Sequence, residues 1–164
     1  MSKYLLNCFW LVVPLLIWNI IFYHDLPQGY TSPKIWDAIP DWVKISENIL
    51  RILVFSTPIL LKLSIKSKTQ RLGLIVYLCA LLLYFSSWLV QIYLNNSSWS
   101  NSLFGFMAPA YTTLLIFIGI AIIGKHSFLS IPKIRRIYLI IAIAFVSIHT
   151  YHAYLAYMNL KQYL

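Results

Sequence analysis

The sequence predicts an all-α, polytopic membrane protein, with residues 1–164 forming one domain, a bundle of five transmembrane helices. Of its residues, 60% are hydrophobic and only 10% are charged, which is more apolar surface than a soluble domain of this size can bury. Four long stretches lack Asp, Glu, Lys and Arg, and each reaches the ~20 residues with which a helix crosses the ~30 Å hydrocarbon core of a bilayer. They cover residues 4–23, 72–94, 103–124 and 137–160.

The fifth predicted helix, residues 48–66, is the weakest of the set. Only residues 52–61 are free of charge, and as a helix they extend for only ~15 Å. The segment can span a membrane if Arg51 extends to the outer interface and Lys62 and Lys66 extend to the inner one. The same three residues fall on one stripe of a helix, which is also typical of an amphipathic helix lying flat in the interface. We favour the span, because the rest of the segment is apolar on every side, and keep the flat helix as the alternative.

The net charge of +9 predicts an orientation in the membrane and argues against a nucleic-acid partner. Nine of the thirteen basic residues lie near the amino terminus or beside two short connections: Lys3, Lys62, Lys66, Lys68, Arg71, Lys125, Lys133, Arg135 and Arg136. Such clusters mark the cytoplasmic side and also suit anionic lipid headgroups. We therefore expect an integral protein of the plasma or inner membrane, with the lipid bilayer as its partner. Its amino terminus is predicted in the cytoplasm and its carboxyl terminus outside.

The one long loop, residues 24–47, is predicted on the outer face. It contains all four acidic residues of the chain, Asp25, Asp37, Asp41 and Glu47. Ser32–Pro33 and Pro40–Asp41 have the composition of helix starts, because proline fits the first turn and acidic side chains favour the amino-terminal end of the helix dipole. The expected short amphipathic helices either anchor the loop among the headgroups or form a lid, residues 33–47, over a site between the transmembrane helices.

Polar side chains of the predicted helices fall in one layer when their depth is counted inward from the outer helix ends at ~1.5 Å per residue. The candidates for ligand contacts in this layer are Asn19, Gln91, Thr112, His149 and His152. His149 and His152 are the strongest, because ionisable side chains inside a bilayer are costly and mark function. Arg51 would supply a fixed positive charge, and we expect Asp25 or Glu47 to pair with it. For the hydroxyl and amide groups, the alternative role is hydrogen bonding between helices without any ligand.

No motif in the sequence names a reaction. The chain has no G-x-S-x-G nucleophile motif and no glycine-rich phosphate loop. His149 and His152 lack the further Cys, His or acidic residues at metal-ligand spacing, so we expect neither a metal nor a cofactor. Cys8 and Cys79 are predicted to act as small hydrophobic residues within the membrane.

These observations leave three functional hypotheses open. The leading one is an integral membrane protein that binds a small ligand or a lipid headgroup in a polar cavity in the outer leaflet. The second is an enzyme in which His149 or His152 acts as a general base together with a carboxylate from the loop. The third is an accessory subunit, whose faces of small residues pack against a membrane-protein partner or a second copy of the chain.

Overall fold

The computed structural model describes residues 6–129 and 131–163, and within these ranges the chain is helical, with no β-strand. The α-helices of this part of the chain are α1 (Val13–Ile21), α2 (Gln28–Thr31), α3 (Pro33–Asp37), α4 (Asp41–Ser56), α5 (Lys68–Tyr93), α6 (Leu103–Tyr111), α7 (Thr113–Ile123) and α8 (Ile134–Tyr163). Short 3-10 turns at Cys8–Leu11, Tyr23–Asp25 and Thr57–Leu60 flank α1 and follow α4. The all-α prediction is confirmed.

Among the described residues, three helices are long and apolar enough to cross a membrane, and not the five that we predicted. These are α5 with 26 residues, α6 and α7 together with 21 residues, and α8 over Ile134–Gln162 with 29 residues. A capping box begins α5, because Ser67 Oγ accepts the backbone N–H of Gln70 while the Gln70 side chain accepts the N–H of Ser67.

The prediction of one helix over residues 4–23 is wrong for the part that the structure describes. The Asn7 side chain accepts the N–H of Phe9 at 3.0 Å and caps a 3-10 turn, not an α-helix. Pro14 then lies in the first turn of α1, where proline favours the start of a new helix. The nine residues of α1 extend for only ~14 Å. Residues 4 and 5 lie outside the described ranges.

The prediction of a helix over residues 48–66 is also wrong at both ends. The helix α4 begins at Asp41, within the predicted loop, and ends at Ser56. Pro58 follows this end, and proline lacks the backbone N–H that would continue the α-helical hydrogen bonds. The chain therefore passes through a 3-10 turn and becomes extended at Leu61.

The predicted loop 24–47 contains α2, α3 and the first turns of α4, so it is shorter than expected. The predicted helix starts at Pro33 and Asp41 are confirmed. The apolar side of these helices packs on α6 and α8 in one buried cluster, formed by Ile35, Ile39, Val43, Phe106 and Ala156. This packing places the middle of α4 directly over α8.

The main core lies between α5, α7 and α8. Phe117 of α7 and Tyr138 of α8 are fully buried there, with ring centroids 6.4 Å apart. Gly119 permits the close approach of α7 to α5, because a Cβ atom at this position would lie 2.7 Å from Cβ and 2.8 Å from Cα of Tyr77. Small residues have this role where membrane helices meet closely.

Three short segments outside the α-helices, residues 6–8, 61–63 and 126–128, meet at one end of the bundle, and we call this contact the three-segment junction. Their backbone hydrogen bonds run from Cys8 N–H to Leu61 O at 2.9 Å, from Leu63 N–H to Leu6 O at 3.0 Å and from Lys62 N–H to His126 O at 2.8 Å. The Cys8 thiol is fully buried at the junction, whereas Cys79 is exposed on α5, and both thiols are free.

The same end holds the start of α5 and the end of α7. Gln70 is buried there, and its Nε2 donates to the carbonyl oxygen of Ile123 at 3.1 Å. Only ten residues separate the end of α7 from the start of α8, so all three long helices have one terminus near the junction.

Candidate functional site

The carboxylate of Glu47 is the centre of the candidate site. Glu47 is only 1% exposed. Arg51 donates from Nη2 to Oε1 of Glu47, and Nδ1 of His152 binds Oε2. Nδ1 of His149 lies 3.0 Å from Oε1. We call these four residues the Glu47 cluster; all four were candidates from the sequence.

Each of two helices contributes one pair of residues to the Glu47 cluster. Glu47 and Arg51 are four positions apart on α4, and the two histidines are three positions apart on α8, so each pair lies on one helix face. The buried apolar contacts of α3 and α4 with α8 bring the two faces together. Ionic groups from distant parts of the sequence therefore meet because apolar side chains beside them pack.

The partners of Glu47 keep its carboxylate ionised. Burial by itself raises the pKa of a carboxyl group. Here the hydrogen bonds from His149 and His152, with the positive charges of His149 and Arg51, outweigh burial and hold the pKa of Glu47 well below its usual range. An ionised carboxylate can only accept hydrogen bonds, so Nδ1 carries a proton in both imidazoles.

Aromatic side chains fix the orientation of the two imidazoles. Phe145 stacks on His149 with ring centroids 5.2 Å apart and planes 9° apart, and Trp36 meets His152 edge-on at 5.1 Å. Since Nδ1 of each ring faces Glu47, Nε2 of each ring points away from it. The Nε2 atom of His152 is buried without a hydrogen-bond partner among the described residues. The side chain of His149 is 32% exposed, so His149 is the histidine that a ligand can reach.

A cavity of about 290 Å³ borders the Glu47 cluster, close to the lower end of the range for small-ligand sites. We call it the His149 cavity. Its polar wall is formed by Asn19, Arg51, Tyr84, Trp88, Thr113 and His149. Phe55, Phe117 and Phe145 form much of its apolar wall. The cavity thus offers hydrogen-bonding groups and an aromatic surface to the same ligand.

Arg51 retains hydrogen-bond donors that can serve a ligand. In the described part of the chain its Nη2 donates to Glu47, and its Nη1 donates to Oδ1 of Asn48 at 3.3 Å. A guanidinium group has five N–H donors, and the Arg51 side chain is 44% exposed. The remaining N–H groups suit a carboxylate, phosphate or carbonyl oxygen in the cavity.

Asn19 lines the His149 cavity as a candidate residue should, and its Oδ1 accepts a hydrogen bond from Tyr84 Oη at 2.7 Å. Tyr84, Trp88 and Thr113 also line the cavity but were not among the predicted site residues. A signal existed for Tyr84, because it lies seven positions before Gln91 and therefore on the same face of α5. Thr113 is one position after the predicted Thr112.

Gln91 and Thr112 are not in the wall of the His149 cavity; they bind backbone carbonyl groups near Pro109. Pro109 has no N–H, which deprives the carbonyl oxygen of Gly105 of its donor within the helix. Gln91 supplies that donor, with Nε2 2.7 Å from the Gly105 oxygen. The Oγ1 atom of Thr112 donates to the carbonyl oxygen of Ala108 at 2.7 Å. The contact of Gln91 joins α5 to α6, whereas the contact of Thr112 lies within the α6–α7 segment.

Asp25 lies apart from the Glu47 cluster. It is exposed, in the 3-10 turn that follows α1. Of the two carboxylates predicted as partners of Arg51, the one that makes the ion pair is Glu47.

In residues 6–129 and 131–163, no three His, Cys, Asp or Glu side chains are arranged to hold a metal ion. Comparison of the chain with protein-family models, with curated proteins and with solved structures gave no match.

Proposed function

We propose that this chain is a multi-pass membrane protein that binds a small amphiphilic ligand or a lipid headgroup in the His149 cavity. The observation that carries the proposal is that Arg51 and His149, both in the cavity wall, are held by one buried carboxylate. Groups that are already fixed in position lose little entropy when they bind a ligand.

The membrane placement is supported by the outward faces of the long helices. Large apolar side chains are exposed along α5 and α8: Leu72, Ile75, Leu78, Leu82, Leu83, Ile137, Ile140 and Ile143. Such a surface is unfavourable in water and suits lipid. We place the basic junction end in the cytoplasm. His149 then lies ~22 Å along α8 from that end, in the outer half of the membrane.

The character of the ligand follows from the two walls of the cavity. Glu47 and Arg51 neutralise each other, and the remaining N–H groups of Arg51 and the amide N–H groups of Asn19 are hydrogen-bond donors in the cavity wall. A headgroup with acceptor oxygens, such as a carboxylate or a phosphate, would bind these two residues, and a hydroxyl group of the same headgroup would donate to Nε2 of His149. An acyl or other apolar part would lie against Phe55, Phe117 and Phe145.

Native mass spectrometry tests this proposal on protein released from nanodiscs that contain a natural lipid extract. We expect the wild-type protein to retain a bound mass that Arg51→Met loses. Lys44→Met is the matched control, because Lys44 lies on the same helix but contacts exposed Asp41 at 3.4 Å, away from the cavity. Asn19→Ala is a second test of the cavity wall that leaves every contact of Glu47 in place, and we expect it to retain less of the bound mass than the wild type. Equal retention by all four proteins would refute binding in the His149 cavity.

The same geometry also supports a second function, an enzyme with His149 as general base. A carboxylate at Nδ1 fixes the tautomer and orientation of an imidazole and leaves Nε2 free to take a proton. The fate of the bound molecule distinguishes an enzyme from a protein that only binds its ligand. If the retained molecule is released unchanged by the wild-type protein and by His149→Gln, the protein binds it without reaction. A product that only the wild-type protein forms would favour the enzyme.

The hypothesis of an accessory subunit stays a prediction. Its test is independent of the His149 cavity, because it concerns the mass of the particle purified from native membranes. Purification with a stoichiometric partner would favour it, and a particle containing only this chain would oppose it.

A further inference from the structure

A second cavity, of about 550 Å³, opens beside the three-segment junction, and we call it the junction cavity. Five basic side chains are in its wall: Lys62, Lys125, His126, Lys133 and Arg135. None of the described residues that line it is acidic, and all four acids of the chain lie between positions 25 and 47. The positive charges in this wall therefore have no carboxylate partner there.

The fold itself brings these basic residues together. Lys62 is on the extended segment whose backbone N–H bonds to the carbonyl oxygen of His126 at 2.8 Å. Lys125 follows the end of α7, and Arg135 lies in the first turn of α8. A preference for basic residues on the cytoplasmic side explains their presence in these loops, but it does not require that they line one cavity.

We propose that the junction cavity binds the phosphate group of an anionic phospholipid. Lysine and arginine side chains are the natural partners of phosphate oxygens, and the hydroxyl groups of Ser64 and Ser127 lie in the same wall. The cavity is at the end of the bundle where α5 begins, α7 ends and α8 begins. At this end of the bundle, the headgroup of a lipid can enter the junction cavity while the acyl chains of the same lipid lie along the apolar helices. Free phosphate has the same binding chemistry, so the experiment must separate the two sources.

The purified full-length protein in neutral detergent is heated with each of three probes at equal ionic strength. The probes are dioctanoyl phosphatidylglycerol, dioctanoyl phosphatidylcholine and inorganic phosphate. We expect phosphatidylglycerol at ten times its dissociation constant to raise the apparent melting temperature by about 2–6 °C. The zwitterionic lipid should have no such effect. A rise of the same size with inorganic phosphate alone would overturn the assignment to a lipid and identify a site for free phosphate.

Two triple variants with the same change in net charge test whether the cavity is the site. One replaces Lys62, Lys125 and Arg135 by Gln; the control replaces Lys66, Lys68 and Arg71 by Gln. The control residues are exposed and basic and lie in the same region of the chain, but they do not line the junction cavity. Because each basic residue at an anionic surface is worth about fivefold in affinity, the cavity variant should bind phosphatidylglycerol about 100-fold more weakly, and the control should bind like the wild type.

Equal losses in the two variants would show that only net charge matters and would overturn the proposal. So would the absence of any stabilisation of the wild-type protein by phosphatidylglycerol. If the cavity triple variant does not fold, Lys125→Gln and Lys68→Gln form the corresponding single pair, with about fivefold weaker binding expected for the first alone.

Discussion

Nδ1 of His149 lies 3.0 Å from Oε1 of Glu47, although the two residues are 102 positions apart in the chain. The contact joins α4 to α8 through a carboxylate that is almost fully buried. A buried charge is tolerated only when it is paired and hydrogen-bonded, so the stability of the fold and the shape of the His149 cavity depend on the same four side chains.

Replacing Glu47 by Gln should destabilise the protein by about 3 kcal/mol, because removing one partner of a buried ionic network leaves the others uncompensated. The measurement is the free energy of unfolding in detergent micelles. Asp41→Asn is the control on the same helix, since Asp41 is exposed and its contact with Lys44 is a surface pair, worth less than ~1 kcal/mol. Similar losses for the two variants would contradict the central role of Glu47.

Acid should destabilise the protein through Glu47. The pKa of Glu47 is lower in the folded state than in the unfolded state, because His149, His152 and Arg51 favour its ionised form. Its contribution to stability is therefore fully present above the ordinary glutamate pKa of about 4.3 and is lost as the pH falls through the lower folded-state value. The melting temperature should fall as the pH is lowered from about 4 to about 2. Glu47→Gln should fall less steeply over this interval, and parallel curves would speak against the assignment.

Gly119→Ala should destabilise the contact between α5 and α7 by about 1–3 kcal/mol, the usual cost of overpacking. The added methyl group would meet Cα and Cβ of Tyr77, and backbone atoms cannot move aside as the end of a flexible side chain can. Ser86→Ala, on the exposed face of α5, controls for a small change that meets no neighbour. Thermal unfolding of the two variants is the measurement, and an unchanged melting temperature for Gly119→Ala would mean that the helices are farther apart.

Gln70→Ala should cost about 2 kcal/mol, because it removes the side-chain acceptor for the Ser67 N–H in the capping box of α5 and the donor to the Ile123 carbonyl oxygen. Ser67→Ala separates the two contributions, since it removes the Oγ acceptor of the capping box but keeps the Nε2 donor of Gln70. We expect its free energy of unfolding to lie between those of the wild type and Gln70→Ala. An alanine variant as stable as the wild type would rule out this link between α5 and α7.

The long helices were predictable from the sequence because each depends on its own composition. Helices α5, α6–α7 and α8 are long uninterrupted apolar segments, and their predicted bounds differ from the observed ones by a few residues. The predictions for residues 4–23 and 48–66 were wrong because Pro14 and Pro58, together with non-local contacts, set where the helices begin and end. Hydrogen bonds from Leu61 and Lys62 to distant parts of the chain hold an extended conformation that no local pattern of apolar residues indicates.

Part of the candidate site was predictable from the sequence, because burying an ionisable side chain is energetically unfavourable and therefore indicates a functional or paired residue. Histidines and an arginine in apolar surroundings require partners, and this reasoning identified Arg51, His149 and His152. The choice between Asp25 and Glu47 required the packing of α3 and α4 on α8, which brings only Glu47 to the histidines. The pairing of Gln91 with Gly105 likewise depends on which helix lies beside the carbonyl that Pro109 leaves without a donor.

The burial of Cys8 at the three-segment junction provides a natural probe of how often this end of the bundle opens. A thiol-alkylating reagent reaches the sulfur of Cys8 only when the three segments of the junction separate. The rate at which Cys8 becomes labelled therefore reports the frequency of this opening, with no introduced probe.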